Sequence, residues 1–324
     1  MNMTDNYMSV ALDTIRVDTI VGCDLYIQNY VNGEIKYILY CNGTNTIRSE
    51  KIEELQKHKI ERLFIYKEDH NKYLKYVESS LKNIINDNKI SITEKAQVVY
   101  HVAKNIMTDV FENPRSGIHV YRAKNWVEAT IDMIINNKNA SLTMINILSF
   151  DYYTYTHSVN VAVLGLLFSK YLGIKYKELN MFGTGLLLHD IGKTQIESEI
   201  INKKEKLSEE EFTRIKMHVE LGANILTQVS DFDDVSLFPL RQHHEKYNGK
   251  GYPTGLKGDD IHKFGKIASI IDVYDALTTR RPYADARKPF SALKIMKDEM
   301  EGSFDGELFM DFILFLGQRS EKKY

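Results

Sequence analysis

Residues 189–193 (HDIGK) bring together side chains that could do chemistry in this sequence. They follow the apolar run at residues 185–188 (GLLL), which predicts that His189 and Asp190 end a buried helix. A buried imidazole and carboxylate are costly to desolvate unless hydrogen bonds or a metal ion hold them. Since such a pair is common by chance, a metal site and a hydrogen-bonded core pair are equally good interpretations of the pair alone.

Further His and Asp side chains lie on other segments with helical apolar spacing and extend this pair into a candidate metal-binding set. The set consists of His157, His189, Asp190, His218, His243, His244 and Asp272. Imidazole and carboxylate ligands together suit iron, manganese, zinc or nickel, and a carboxylate can bridge two ions. So many ligands exceed the needs of one tetrahedral zinc ion and fit two metal ions. The absence of a nearby Cys argues against a structural zinc of the Cys type.

Taken in order, these segments resemble the HD-domain metal phosphohydrolases, and one loop narrows the resemblance to the HD-GYP subfamily. The matching motifs are HDIGK at 189–193, HHE at 243–245, GYP at 251–253 and DVYDALT at 272–278. The resemblance runs from about residue 150 to about residue 315 and implies an all-helical bundle. Members of this family hydrolyse cyclic di-GMP, and some also hydrolyse cyclic GMP-AMP.

The resemblance implies how the candidate ligands divide between two divalent ions. Asp190 would bridge the two ions. One ion would also be held by His157, His189 and Asp272. The other would be held by His218, His243 and His244. Iron is the expected metal and manganese the next. Two such ions can bind a phosphodiester, orient a bridging hydroxide and stabilise the leaving oxygen. The implied reaction opens cyclic di-GMP to pGpG, with GMP as a further product.

Four more residues are candidates for contacts around the reacting phosphate. Lys193 supplies a fixed positive charge that could stabilise developing negative charge, so it is assigned to catalysis and substrate binding together with the catalytic Asp190. Arg281 resembles the family arginine that contacts substrate phosphate, for which a bidentate guanidinium is suited. Tyr252, in the GYP loop, could stack on or hydrogen-bond to a guanine. Asp275 shares a helix face with Asp272 and could orient a metal ligand.

The sequence departs from the family pattern at places that bear on function. Members with three metals carry a Glu four residues before the first His, whereas this chain has Tyr153, with Asp151 as the nearest upstream carboxylate. Two ions are therefore expected rather than three. Ala284 stands where many members have a basic residue, so one phosphate contact is missing unless Arg287 or Lys288 replaces it. The alternatives are a catalytically weak receptor for the cyclic dinucleotide and a phosphodiesterase for cyclic GMP-AMP.

Length and composition limit the class of protein. With 324 residues and 43% hydrophobic content, the chain is long enough for two domains. A net charge of -2 gives no general attraction to a nucleic acid polymer or to a membrane, and neither is an expected partner. Cys23 and Cys41 are too few for a disulfide framework and are predicted to be buried free thiols. Without a visible signal peptide or membrane span, the predicted location is the cytoplasm.

The elements that must position these residues fall into two predicted domains, which make the protein mainly α. Residues 1–88 predict a small α/β domain, with strands on either side of an Asn32-Gly33 hairpin turn. We expect it to be a regulatory or interaction domain, through which a homodimer or a partner protein would bind. Residues 89–324 predict a helical linker and the HD-GYP catalytic bundle, with its core at about 142–315. The predicted helices are 93–111, 120–135, 142–149, 154–172, 178–189, 208–228, 236–245, 265–280 and 289–300.

Overall fold

The computed structural model describes residues 6–31, 34–137, 139–148, 154–203, 205–229, 232–280 and 285–317. The chain divides into two compact units, Met1–Asn105 and Ile106–Tyr324, and the division falls within one long helix. The predicted fold class, mainly α with a small strand-containing N-terminal part, is confirmed. The regulatory or interaction role of residues 1–88 and the boundary at residue 88 stay predictions.

The N-terminal unit is built on a four-stranded antiparallel sheet in the order β1-β6-β3-β4, with a separate β2–β5 pair. Its strands are β1 (Tyr7–Ala11), β2 (Thr19–Ile20), β3 (Leu25–Val31), β4 (Glu34–Cys41), β5 (Thr46–Ile47) and β6 (Arg62–Tyr66). Its helices are α1 (Ser49–Lys57), α2 (His70–Ser79), α3 (Leu81–Asn86) and α4 (Ile92–Glu112), the last of which continues into the second unit. The turn residues predicted between β3 and β4, Asn32 and Gly33, lie outside the described residues.

The two faces of this sheet differ in burial because side chains alternate along each strand. In β6, Leu63 and Ile65 are buried while Phe64 and Tyr66 are only partly so. Tyr7 stacks against Tyr66 across β1 and β6 at a ring-centroid distance of 4.6 Å. Cys23 and Cys41 are buried free thiols, as predicted. Burial raises the pKa of Cys23 to about 12, so this thiol stays protonated.

The second unit is helical throughout its described ranges. Its helices are α5 (Gly117–Asn136), α6 (Ala140–Asn146), α7 (Thr154–Tyr171), α8 (Tyr176–Leu187), α9 (Ser198–Ile201), α10 (Glu209–Lys216), α11 (His218–Thr227), α12 (Leu237–Gln242), α13 (Lys263–Thr278), α14 (Pro289–Asp298) and α15 (Gly306–Gly317). Short 3-10 helices add Ile191–Gln195, Asp234–Ser236 and Gly258–Asp260. Among the described helices, none combines the length and apolarity needed to cross a bilayer.

Helices α7 and α13 form the centre of this unit and carry much of its chemistry. From Thr156 to Ser169 every side chain of α7 is buried, and α13 is buried from Phe264 to Ile271 except at Lys266. A helix that is apolar on all sides must pack against neighbours all round, and α7 packs against both α8 and α13. Polar side chains on these helices are therefore held in fixed positions inside the bundle.

The structure corrects two of the predicted helices at the places where histidines lie. The helix predicted at 208–228 is two helices, α10 and α11, which meet at Met217. The predicted capping box of Ser208 and Glu211 is present at the start of α10. The helix predicted at 236–245 ends at Gln242, and the His243 ring that follows it hydrogen-bonds to the Pro239 and Leu240 carbonyls. Helices α9 and α15 were not predicted.

Candidate metal centre

Five segments of the second unit bring all seven candidate ligands together. Helix α7 carries His157, and the turn that follows α8 carries His189 and Asp190. His218 opens α11, His243 and His244 follow α12, and Asp272 lies on α13. All are buried except His244, whose side chain is a quarter exposed. These seven residues are called the His/Asp cluster below.

Asp190 lies at the middle of the His/Asp cluster, and its two carboxylate oxygens face different histidines. Oδ2 is 3.8 Å from Nε2 of His157 and 3.5 Å from Nε2 of His189. Oδ1 is 3.5 Å from Nε2 of His218 and 3.9 Å from Nε2 of His243. This orientation is the one that a carboxylate bridging two ions requires.

The potential ligand atoms form overlapping groups around Asp190. Within each group, one atom from every residue lies within 4.8 Å of the others. The groups are His157, His189 and Asp272; His218, His243 and His244; and His189, Asp190 and His243. The first two contain the same residues as the two sets that the resemblance assigns to separate ions.

Backbone carbonyls fix the ring orientation of three histidines in the His/Asp cluster. Nδ1 of His189 donates to Leu186 O at 2.6 Å, and Nδ1 of His218 donates to Ile215 O at 2.6 Å. Nδ1 of His243 lies 2.9 Å from the Pro239 carbonyl. A neutral imidazole that donates from Nδ1 keeps its lone pair on Nε2, which in each case points into the cluster.

Two features of these lone pairs fit a bound cation. Nε2 of His189 and Oδ1 of Asp190 are buried without a hydrogen-bond partner, which is costly for polar atoms. The Nε2 atoms of His218 and His243 are 3.3 Å apart, although both are acceptors when Nδ1 carries the proton. A divalent ion would satisfy all these atoms, so the cluster suits divalent metal binding. The donor types do not select among first-row metals.

Burial keeps most of these histidines neutral, as metal binding requires. It lowers the pKa of His189 to about 3 and that of His218 to about 4, and it also lowers the pKa of His243 and His244. Against the effect of burial, the positive charge of Lys193 holds the pKa of Asp190 well below its usual range. The cluster therefore presents four neutral imidazoles, those of His189, His218, His243 and His244, together with the ionised carboxylate of Asp190.

His157 differs from the other histidines because carboxylates flank both of its nitrogens. Its Nε2 is 3.0 Å from Oδ1 of Asp272, and its Nδ1 is 2.7 Å from Oδ2 of Asp275. Burial opposes the charged imidazole, but the hydrogen bonds with the two carboxylates raise the pKa of His157 to about 10. The structure thus brings Asp275 into contact with a candidate ligand, where the sequence predicted a supporting carboxylate.

Asn160 is a further residue of this network, and the sequence analysis did not predict a role for it. Its Nδ2 donates to Oδ1 of Asp275 at 3.0 Å, on the oxygen that does not face His157. Asn160 follows His157 by three residues on α7, so both point to the same side of the helix. That spacing is the signal that could have indicated it.

Lys193 and Gly192 follow the ligands on the 3-10 helix. The Lys193 ammonium group donates to Oδ2 of Asp190, the oxygen that also faces His157 and His189. At Gly192 an added Cβ would overlap the His218 carbonyl oxygen and approach the backbone of Gly222. A glycine here lets the chain pass directly against the start of α11, which brings His218 to Asp190.

The loop that contains Tyr252 is anchored by Glu245, a residue to which the sequence reading gave no role. Oε1 of this buried carboxylate accepts from Thr254 N, Thr254 Oγ1 and Gly255 N at 2.7–3.1 Å. Oε2 accepts from Leu256 N at 3.0 Å. The loop is thereby held so that the Tyr252 ring lies 4.6 Å from the His244 ring. The position of Glu245 in the HHE motif, directly after two candidate ligands, is the sequence signal that could have indicated this role.

Several predicted residues lie outside the described residues. Arg281, the predicted phosphate contact, is one of them, and so is the nearby Ala284. Tyr153 and Asp151, on which the choice between two and three ions was based, are also outside. The assignments that depend on these residues stay predictions.

Known proteins share sequence with the part of the chain that carries the His/Asp cluster. A family model described as an HD domain matches residues 154–308. A cyclic di-GMP phosphodiesterase of Pseudomonas aeruginosa is 31% identical over 217 residues, 66% of this chain and 52% of the relative. A 3'3'-cGAMP-specific phosphodiesterase of Vibrio cholerae is 36% identical over 157 residues, 48% of this chain and 34% of the relative. The chain thus spans about half or less of these curated relatives.

One solved structure is similar over nearly the whole chain. It is that of an HDG"Y"P protein from Bdellovibrio bacteriovorus, with a TM-score of 0.67 and 23% sequence identity. The similarity covers 96% of this chain and 100% of that one. At this level of identity, the likeness concerns the fold alone.

Proposed function

We propose that this chain is a member of the HD-GYP family of HD-domain proteins and, on that premise, a metal-dependent phosphodiesterase that hydrolyses cyclic di-GMP. The observation that carries the proposal is the orientation of Asp190, whose two carboxylate oxygens face two separate pairs of histidines, His157 and His189 on one side and His218 and His243 on the other. If His189 and Asp190 were only a structural pair in the core, hydrogen bonds would satisfy their polar atoms. The unpaired Nε2 of His189 and Oδ1 of Asp190 favour a metal site instead.

We propose two divalent ions, with iron as the first expectation and manganese as the next. His157, His189 and Asp272 would hold one ion, and His218, His243 and His244 the other, with Asp190 as the shared ligand. When bound, such ions polarise a phosphodiester and lower the pKa of a water molecule that can attack it. The histidines would need to be neutral, so activity is expected to fall in acid.

The residues around the His/Asp cluster would act on the substrate and on the ligands. The ammonium group of Lys193, next to Asp190, would stabilise negative charge that develops on the phosphate. Tyr252 would bound the site on the side of His244 and contact a guanine. Asp275 would hold His157 in the orientation that directs Nε2 into the cluster. Arg281 would be a further phosphate contact.

The proposed products are pGpG and, by a second cleavage, GMP. A second candidate substrate is cyclic GMP-AMP, because relatives in Vibrio cholerae at 35–37% identity are named as specific for it. Both substrates are cyclic purine dinucleotides that present the same phosphodiester to the ions. Competition of the two at equal concentration, with product separation, distinguishes them.

The test begins with protein purified anaerobically, in which metal per chain is counted before cyclic di-GMP is added. We expect about two ions per chain and the appearance of pGpG or GMP. Asp190→Ala should lose both ions or their shared site, together with all hydrolysis, because a ligand common to both ions is removed. Lys193→Gln is the matched control, and it should keep the ions while turnover falls.

Two outcomes would contradict the proposal. Full metal content and activity in Asp190→Ala would show that the site is wrong. Two bound ions with intact cyclic di-GMP in the wild-type protein would favour a receptor that binds the dinucleotide without cleaving it.

A further inference from the structure

Aromatic side chains continue outward from the His/Asp cluster to the protein surface. The ring of Tyr252 lies 4.6 Å from the His244 ring, and its edge meets Phe212 with ring centroids 6.2 Å apart. Tyr252 is half-buried, whereas Phe212 is 44% exposed. An aromatic surface therefore begins at a candidate ligand and ends at solvent.

Lys216 adds a positive charge to this surface. It follows Phe212 by about one turn on α10, so the two side chains are neighbours. Its Nζ lies 4.6 Å from the Phe212 ring centroid and 5.6 Å from that of Tyr252. Phe212, Lys216 and Tyr252 are called the aromatic-lysine surface below.

Lys216 differs from the neighbouring cationic side chains because no acidic side chain of the described ranges forms an ion pair with it. Lys203 pairs with Glu211, and Arg214 pairs with Glu197. For Lys216, no Asp or Glu of the described ranges lies within ion-pair distance. Its contacts are with ring faces, which leaves the donors of the ammonium group available to an anion.

A cyclic dinucleotide needs such a surface for the half of the molecule that does not react. It carries two phosphates and two purines, and only one phosphate can react at the His/Asp cluster at a time. Aromatic side chains bind bases by stacking, and a lysine binds phosphate as a point charge. A surface with both features, one ring away from His244, matches the second nucleotide in both chemistry and place.

The geometry points to Phe212 and Lys216, together with Tyr252, as the binding site for the second nucleotide of a cyclic purine dinucleotide. A base lies against the rings, and the phosphate that is not being cleaved pairs with Lys216. This inference rests on the proposed function and adds to it the residues that distinguish a dinucleotide from a simple phosphodiester.

The test compares Phe212→Ala and Lys216→Gln with the wild type on two substrates. One is cyclic di-GMP, and the other is bis(p-nitrophenyl) phosphate, which has one phosphate and no base. For cyclic di-GMP, Phe212→Ala should raise KM by about 5- to 150-fold, the range expected for loss of one base–aromatic stack. Lys216→Gln should raise KM and weaken its dependence on salt. Both variants should lose a smaller fraction of kcat/KM on bis(p-nitrophenyl) phosphate, whose rings are smaller than a purine and which has no second phosphate.

Two control variants match the changes without touching this surface. Arg214→Gln removes a cation of α10 that is already paired with Glu197. Phe290→Ala removes an aromatic side chain of α14 that is 79% exposed. Both should retain wild-type KM for cyclic di-GMP. Metal content and melting temperature, measured for every variant, check that the fold is intact.

Binding is measured separately by calorimetry with a phosphorothioate analogue of cyclic di-GMP, which resists cleavage. Phe212→Ala and Lys216→Gln should bind it more weakly than the wild type does. Equal loss on both substrates, loss of metal, or unchanged KM and affinity would each overturn the inference. A wild type that binds the analogue but cleaves no cyclic di-GMP would overturn the proposed function alone. A wild type that neither binds nor cleaves would overturn both.

Discussion

His157 is held by carboxylates on both ring nitrogens, whereas His189, His218 and His243 are held by backbone carbonyls. This difference sets their protonation. Burial lowers the pKa of the carbonyl-bound rings, so they are neutral before metal arrives. The two carboxylates outweigh burial at His157 and raise its pKa to about 10. His157 must therefore lose a proton before it can bind an ion.

We expect metal loading at pH 8 to release one proton per chain from His157, besides any proton lost by water that the ions bind, because this pH is below the pKa of His157 and above that of the other buried histidines. In metal-free protein the raised pKa of His157 also stabilises the fold. This stabilisation is fully present at pH values below the unfolded pKa of about 6.5, and it is lost as the pH rises towards 10. Calorimetry of Mn²⁺ binding in buffers of different ionisation enthalpy counts the protons.

Two variants make this measurement specific. Asp275→Asn removes one of the carboxylates that hold the proton on His157, so proton release at pH 8 should decrease. Asp298→Asn, an exposed change on α14, should leave it unchanged. Metal binding by the wild type without proton release would show that His157 is neutral in the metal-free protein.

At the scale of elements, the loop from Gly251 to Leu256 depends on one buried carboxylate. Glu245 accepts four hydrogen bonds from Thr254, Gly255 and Leu256, and it directly follows His244 in the chain. The turn that ends α12 and the loop that carries Tyr252 are thus one connected piece. Gly251 supports this arrangement, since a Cβ there would overlap the backbone at Lys246.

Glu245→Gln should destabilise the protein by about 2 kcal/mol, because an amide nitrogen replaces an oxygen that accepts from backbone N–H groups. We expect the metal content to persist while KM for cyclic di-GMP rises, since Tyr252 is no longer held against His244. Urea unfolding, metal analysis and steady-state kinetics measure these three effects. Glu220→Gln, at an exposed acid of α11, is the matched control. Metal loss in Glu245→Gln would instead make Glu245 a support of the ligands.

The sequence nominated candidate ligands that the fold brings together, but it predicted their local structure poorly, and His243 shows why. Residue type and order were enough to nominate it, because few chemistries use that combination of His and Asp. Its apolar neighbours have helical spacing, so it was predicted inside a helix at 236–245. In the structure α12 ends at Gln242, and the His243 ring lies against His218, 25 residues earlier in the chain. A helix end that coincides with such a long-range contact depends on tertiary position, which spacing does not contain.

Phe212 and Glu245 illustrate a second limit. An exposed aromatic residue on a polar helix and a Glu beside two histidines are ordinary features of a sequence. Their significance comes from contacts with residues distant in sequence. Phe212 contacts Tyr252, which is 40 residues away, and Glu245 accepts from Gly255, which is 10 residues away. Long-range contacts of this kind are set by packing and could not be predicted from local pattern.

At the scale of the whole molecule, all seven residues of the His/Asp cluster lie in the unit Ile106–Tyr324. They come from five segments that are far apart in the sequence, so ions bound there would link α7, α8, α11, α12 and α13. An ion that binds only the folded state stabilises it by mass action. The N-terminal sheet contains none of these ligands.

Removal of metal by a chelator should therefore destabilise the molecule unevenly. We expect about 3 kcal/mol to be lost if the free ion had been at about 100 times its dissociation constant. Hydrogen exchange should increase in α7, α8 and α11–α13, while the strands β1, β3, β4 and β6 keep their protection. Mass spectrometry of peptides before and after chelation measures this. Equal increases in both units, or none, would contradict a metal site confined to Ile106–Tyr324.

The contact between Lys193 and Asp190 bears on when ions could enter the protein. In the metal-free chain the ammonium group already balances the charge of the buried carboxylate. The buried carboxylate of Asp190 therefore does not need an ion to balance its charge, and ions could bind after the chain has folded. Arrival of the ions would take over Asp190 and release Lys193 towards the phosphate. Lys193 would then become available to the substrate phosphate only in protein that has bound its ions.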